Sequence, residues 1–163
     1  GVLQASRLRI REARVRLEAP LQPADILDGE RLTLLGVTVN RLAGIDDDDG
    51  VFSGLDEATQ VEVRGFVDAN GAVYASEVRA RGEPDASDTR LRGPLESAEP
   101  PLLTVLGVTI DTSEAILRGD DGSVVDADTF FAALTPGRPI QIQDADFDPA
   151  SATLSGGEVS LED

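Results

Sequence analysis

The chain has 163 residues and a net charge of −17, which comes from 14 arginines and 31 aspartates and glutamates. It contains no lysine, histidine, cysteine, tryptophan or methionine. This composition excludes a histidine general base, a cysteine nucleophile, a lysine Schiff base and a Cys/His zinc site. The negative charge argues against nucleic acid as a partner, and no apolar run approaches the length of a membrane span.

The first twenty residues differ from the rest because they are basic. Five arginines and two glutamates give them a charge of +3, whereas the remaining residues carry −20. Arginines alternate here with apolar residues, the period of two that indicates a half-buried strand. Such a strand can dock on another chain, and arginine suits carboxylates; the alternative is an ordinary solvated strand face. The predicted assembly interface consists of Arg7, Leu8, Arg9, Ile10, Arg11, Arg14 and Arg16.

Two similar segments follow, Leu32–Val39 (LTLLGVTV) and Leu103–Ile110 (LTVLGVTI), at an offset of 71 residues. In the first segment the alternation points Leu32, Leu34, Val37 and Val39 inward around Leu35–Gly36, with the threonines outward. Gly36, and Gly107 in the second copy, predicts either a two-residue turn or a bulge. A period as long as a small domain points to tandem modules.

The segment 61–80 (VEVRGFVDANGAVYASEVRA) predicts a hairpin that turns at Asp68–Gly71. The first residues of the chain, GVLQASRLR, align with GAVYASEVR at 71–79. We therefore expect residues 1–13 to be the remnant strand of a preceding module. Its earlier part would be missing through processing, or because the sequence belongs to a longer chain.

Helix signals are few: DEAT at 56–59, and DADTFFAAL at 126–134 with Asp126 or Asp128 as the N-cap. Short strands separated by turn residues predict an all-β chain of two tandem small barrels. The first module is expected at 14–83 and the second at 90–163, joined by a polar linker at 84–89. Phe52 and Phe131 occupy equivalent repeat positions, which predicts core packing for both.

Four segments, LLGVTV, VLGVTI, LTPGRPIQI and DANGAVYASEV, resemble a bacterial family of small OB-like β-barrel repeats, the 5666 domain-of-unknown-function family. The resemblance covers residues 14–83 and 90–163. The first copy lacks the glycine that Gly137 supplies in the second, and the last hairpin lacks the glycine after its turn. The resemblance implies an exported bacterial protein, secreted, at the cell surface or in the periplasm, with OB-like barrels. It implies no activity.

An acidic loop is the candidate metal site of the sequence, because hard cations bind clustered carboxylates in loops. The candidate calcium ligands are Asp46, Asp47, Asp48 and Asp49. The EF-hand spacing fails, since Ile45 stands where the first ligand belongs when Gly50 takes the glycine position. The alternative is a solvated loop that like charges keep extended. No cofactor other than calcium is predicted.

Paired carboxylates can also serve glycoside hydrolysis, but with 31 acidic residues such pairs arise by chance, and no tryptophan offers a sugar platform. The sequence identifies no small-molecule substrate. We therefore expect a non-enzymatic exported structural or assembly protein, a surface, matrix or fibre subunit. It would self-associate head-to-tail through its basic N-terminal strand. The alternative is a calcium- or glycan-binding module of the cell envelope.

Overall fold

The computed structural model describes residues 13–47 and 49–162, and over this part the chain is all-β, as predicted. The strands are β1 (Ala13–Leu21), β2 (Ile26–Asp28), β3 (Arg31–Leu34), β4 (Val37–Asp46), β5 (Thr59–Val67), β6 (Val73–Gly82), β7 (Arg90–Glu99), β8 (Leu102–Val105), β9 (Val108–Asp111), β10 (Ile116–Arg118), β11 (Pro139–Gln143), β12 (Asp146–Asp148), β13 (Thr153–Ser155) and β14 (Glu158–Leu161). Helix α1 spans Ala127–Ala132, and 3₁₀ turns lie at Pro23–Asp25 and Val51–Ser53.

The first six strands form one connected set. Strand β1 pairs antiparallel with β5, and β5 with β6. Strand β6 then pairs parallel with β4, which pairs antiparallel with β3, and β3 with β2. The apolar residues predicted to point inward on β3 and β4 are buried, as the alternation required.

The remaining strands repeat this order of pairings and close it into a ring. Strand β7 pairs antiparallel with β11, and β11 with β14. Two short parallel ladders, β10 with β14 and β9 with β13, correspond to the single β4–β6 ladder of the first set. Strand β9 then pairs with β8, and β8 with β7. These pairings curl the sheet towards a barrel.

The repeated LG dipeptides form two-residue turns, which settles the alternative between a turn and a bulge. Leu35 and Gly36 have φ of 53° and 76°, and Leu106 and Gly107 have 53° and 77°. A hairpin turn with positive φ at both positions matches the twist of the strands. Each dipeptide therefore joins two antiparallel strands, β3 to β4 and β8 to β9.

Of the two helix predictions, one is confirmed and one is wrong. Helix α1 begins after Asp126, whose carboxylate accepts a hydrogen bond from the Thr129 amide. Residues 56–59 are not helical, since the 3₁₀ turn forms earlier. It forms there because the Asp47 carboxylate accepts hydrogen bonds from the amides of Val51 and Phe52.

The prediction for the repeated phenylalanines is right for Phe52, which is fully buried. In the second set the fully buried ring is Phe130, and Phe131 is only partly buried. Both follow Asp126 on α1, so the helix turns one ring inward and places the next at its edge. The two rings meet edge to face, with centroids 5.7 Å apart.

The two sets join where β1 pairs antiparallel with β7. Leu17 lies opposite Leu91 there, and both are fully buried. From this pair a row of buried apolar residues extends across both sets, with one residue on each of six strands. In strand order β6, β5, β1, β7, β11 and β14, the row is Val78, Val63, Leu17, Leu91, Ile142 and Val159. The described residues therefore share one hydrophobic core.

Substituting Leu17→Ala tests this shared core. We expect the free energy of unfolding to fall by about 2–5 kcal/mol, because a cavity opens between the two sets. The change should shift one cooperative transition, measured by urea denaturation followed by circular dichroism. Leu27→Ala is the control, since Leu27 is 52% exposed, and it should change stability by less than about 0.5 kcal/mol. Two transitions, of which only one shifts, would contradict a common core.

Candidate functional site

The face of the sheet opposite the apolar row carries rows of charged residues. Paired residues on neighbouring strands have side chains on the same face, so they line up across the sheet. One row runs from β6 to β11 and consists of Glu77, Arg64, Arg16, Arg92 and Gln141. Three arginines are thus consecutive on β5, β1 and β7. Adjacent like charges repel, so this arrangement needs counter-charges or an anionic ligand.

These arginines line an open groove of about 400 Å³ at the junction of the two sets. We call it the arginine groove. Its lining residues are Arg14, Val15, Arg16, Arg64, Gly65, Ser76, Glu77 and Arg92. With four arginines and one glutamate, the groove has a positive charge on a chain whose net charge is −17.

Glu62 fixes two of the four guanidinium groups. Its Oε2 accepts hydrogen bonds from Nε and Nη2 of Arg16, at 3.1 and 2.5 Å, and its Oε1 accepts one from Nε of Arg64 at 3.1 Å. The Glu62 side chain is only 2% exposed. Burial by itself would raise the pKa of Glu62, but the hydrogen bond from Arg16 and the nearby arginine charges outweigh it and lower that pKa. Glu62 therefore stays ionised and orients both arginines.

The other two arginines of the groove, Arg14 and Arg92, have no ion-pair partner within residues 13–47 and 49–162. Arg14 lies opposite Phe66, whose ring stacks on Tyr74 with centroids 5.6 Å apart. The groove thus has an aromatic pair beside one free guanidinium group. Guanidinium groups bind carboxylates through paired, charge-assisted hydrogen bonds.

A second buried acid lies in the neighbouring row, where Glu18 faces Glu62 on β5 and Arg90 on β7. Glu18 is 6% exposed. Burial, and then the charge of Asp88, raise the pKa of Glu18. Gln60 bridges this pair, because its Nε2 donates to the Asp88 carbonyl at 2.8 Å and lies 3.5 Å from Glu18 Oε2.

Two residues of the predicted assembly interface, Arg14 and Arg16, face outward on β1 as expected, and both line the arginine groove. The other five, Arg7, Leu8, Arg9, Ile10 and Arg11, lie outside the described residues. The sequence prediction did not include Arg64 or Arg92. The signal for Arg92 was present, since Arg90-Leu91-Arg92 repeats Arg14-Val15-Arg16 at the head of the second set.

The predicted calcium loop is only partly described. The Asp47 carboxylate caps the 3₁₀ turn, and Asp49 Oδ2 accepts a hydrogen bond from the Ala80 amide at 2.9 Å. Asp48 and the side chain of Asp46 lie outside the described part. Among the described residues, no group of three or more acidic side chains is arranged to hold a metal ion. Calcium binding by this loop stays a prediction.

The chain is thus all-β, and its two sets of strands repeat one order of pairings. Residues 24–79 match the family model described as "Domain of unknown function (DUF5666)". This match supports the resemblance to that family over the first copy of the repeated motifs. No curated protein and no solved structure matches the chain. Within the described residues, no helix has the length and apolar character needed to cross a membrane.

Glu62→Gln should lower the free energy of unfolding by about 2 kcal/mol at pH 7, because it removes a buried charge that binds two arginines. Since the pKa of Glu62 is lowered in the folded state, this stabilisation exists above the ordinary glutamate range and is lost as the pH falls. The difference from the parent chain should therefore shrink in acid, measured by urea denaturation. Glu77→Gln is the control, since its ion pair with Arg79 is partly exposed and should contribute about 0.5 kcal/mol. Equal losses in the two variants would contradict the role of Glu62.

Glu18→Gln should raise the free energy of unfolding at pH 7, whereas Glu62→Gln should lower it. The pKa of Glu18 is raised, so its carboxyl group costs nothing below the ordinary glutamate pKa, where it is protonated in both states. The free energy of unfolding of the parent chain falls as the pH rises through the folded-state pKa of Glu18, because the carboxyl group must then ionise in a buried site beside Asp88. The variant should melt at a higher temperature than the parent at pH 7 and at the same temperature at pH 3. A lower melting temperature at pH 7 would contradict this assignment.

Proposed function

We propose that the chain is a non-enzymatic structural module of an exported protein, a subunit of a surface, matrix or fibre. In this proposal it associates with copies of itself through the basic surface around β1. One observation carries the proposal: Arg14 and Arg16 face outward into a groove with a positive charge, on a chain that is strongly acidic elsewhere. Opposite charges on separate surfaces of one molecule favour association between copies.

The shared core supports a structural role. Because Leu17 and Leu91 pair inside one core, the two sets of strands pack directly against each other at this junction. Contact between a basic surface and a different, acidic surface is heterologous, and such contacts produce chains of subunits when they do not close.

The chemistry of the groove also favours binding over catalysis. Glu62 has a lowered pKa and is held by two arginines, which is the opposite of what a general acid requires. Glu18 has a raised pKa, but its side chain is buried at the junction and contacts Gln60. Within the described residues, the groove thus offers fixed positive charge.

Sedimentation velocity of the full chain over a concentration series tests the proposal. We expect assembly to increase with concentration and to weaken between low and high salt, because salt screens charges beyond about 10 Å at 0.1 M. Deleting residues 1–11 should weaken assembly, since it removes three of the N-terminal arginines.

A full chain that stays monomeric at every concentration would overturn the proposal. A deletion variant that assembles as well as the full chain would remove the N-terminal strand from it. The alternative, a calcium- or glycan-binding module, predicts a full chain that stays small and gains thermal stability when its ligand is added.

A further inference from the structure

We infer that the arginine groove of one copy receives the carboxylates of an acidic edge strand, β12, of a second copy. The inference deepens the proposed function and rests on it, because it names the two surfaces that meet. The groove contributes Arg14 and Arg92, and the edge strand contributes Asp146 and Asp148.

The groove is prepared for two carboxylates. Arg16 and Arg64 are held in place by Glu62, so they need no reorganisation when a ligand arrives. Arg14 and Arg92 have no ion-pair partner among the residues that the structure describes. Arg16 lies opposite Arg92 at the end of the β1–β7 ladder, and Arg14 lies two residues before Arg16 on β1. Arg14 and Arg92 are therefore in diagonal positions, about 7–8 Å apart.

Strand β12 presents carboxylates at a matching spacing. Asp146 and Asp148 are exposed and lie two residues apart on the strand, with the half-buried Phe147 between them. Side chains two residues apart on a strand are separated by about 6.6 Å. The long arginine side chains can accommodate the remaining difference, so each free guanidinium group can meet one carboxylate.

The position of β12 also suits docking. In the strand order β12-β13-β9-β8-β7, it stands at the end of the ladder and pairs only with β13 among the described strands. It is four pairings away from β7, so the donor and acceptor surfaces are different parts of the molecule. Joining them repeats head to tail, as a heterologous contact does.

Several other acidic groups of the described chain are already engaged. Asp28 forms an ion pair with Arg31, Asp120 forms one with Arg138, and the carboxylates of Asp47 and Asp49 accept hydrogen bonds from backbone amides. Neither Asp146 nor Asp148 forms an ion pair within the described residues. Asp148 does accept hydrogen bonds from Ala150 and Ser151 within its own turn, which fixes its position at the edge.

The test uses two variants of the full chain, each with one surface disabled. The groove variant is Arg14→Glu with Arg92→Glu, and the edge variant is Asp146→Asn with Asp148→Asn. Each variant alone should need a concentration about tenfold or more above that of the parent to assemble. Mixed in equal amounts, they should form a one-to-one complex that does not grow, because each partner keeps one working surface. Sedimentation velocity measures both results.

Matched controls separate this contact from a general effect of charge. Arg31→Glu with Arg41→Glu changes the net charge as much as the groove variant does, on strands β3 and β4. Asp56→Asn with Glu57→Gln matches the edge variant at exposed positions of another loop. Both controls should assemble like the parent. Melting curves show which variants fold, and Asp146→Asn alone replaces the edge variant if the double substitution unfolds the chain.

The outcomes distinguish the two proposals. If the parent assembles and the groove variant assembles equally well, the inference is overturned and the proposed function stands. Loss of assembly in the groove variant but not in the edge variant would show that another acidic surface fills the groove, which also overturns the inference. If the controls lose assembly as much as the two variants do, net charge alone explains the loss and the inference is overturned. A parent chain that never assembles would overturn both proposals together.

Discussion

The antiparallel pairing of β1 with β7 is the contact on which the rest of this structure depends. On one face of the sheet it places Leu17 against Leu91 and so joins two hydrophobic cores into one. On the other face the same ladder places Arg16 opposite Arg92. Because side chains alternate across a strand, one register decides both results. A shift by a single residue would expose the leucines and bury the arginines.

This register concentrates positive charge on one face of the sheet, and the buried carboxylate of Glu62 offsets that charge. Glu62 is almost inaccessible, yet it stays ionised because Arg16 and Arg64 both bind it. An isolated buried carboxylate would be expensive, and three adjacent guanidinium groups would repel one another. Together they form a network that leaves part of the arginine charge facing outward. The groove is therefore a consequence of how the two sets of strands are joined.

The sequence predicted the strands, turns and repeats well, because these features depend on neighbours in the chain. Alternation at Leu32–Val39 and Leu103–Ile110 indicated which side chains are buried. The LG dipeptides left a turn and a bulge as alternatives, and the structure shows turns. The helix at 56–59 was wrong because the capping carboxylate of Asp47 starts a 3₁₀ turn earlier. Phe131 was assigned to the core in place of Phe130 because alignment by repeat ignored the direction of a short helix.

By itself the sequence determined that the chain is acidic, all-β and repetitive, and that Arg14 and Arg16 face away from the core. These properties follow from composition and from the two-residue period of a strand. Only the tertiary structure decided that Arg64 and Arg92 lie beside them, and that Glu62 is the buried acid which holds two of the four. The reason is that strand order and register bring together residues as far apart as Arg16 and Arg92. No local pattern in the sequence shows that Arg16 and Arg92 lie opposite each other in the sheet.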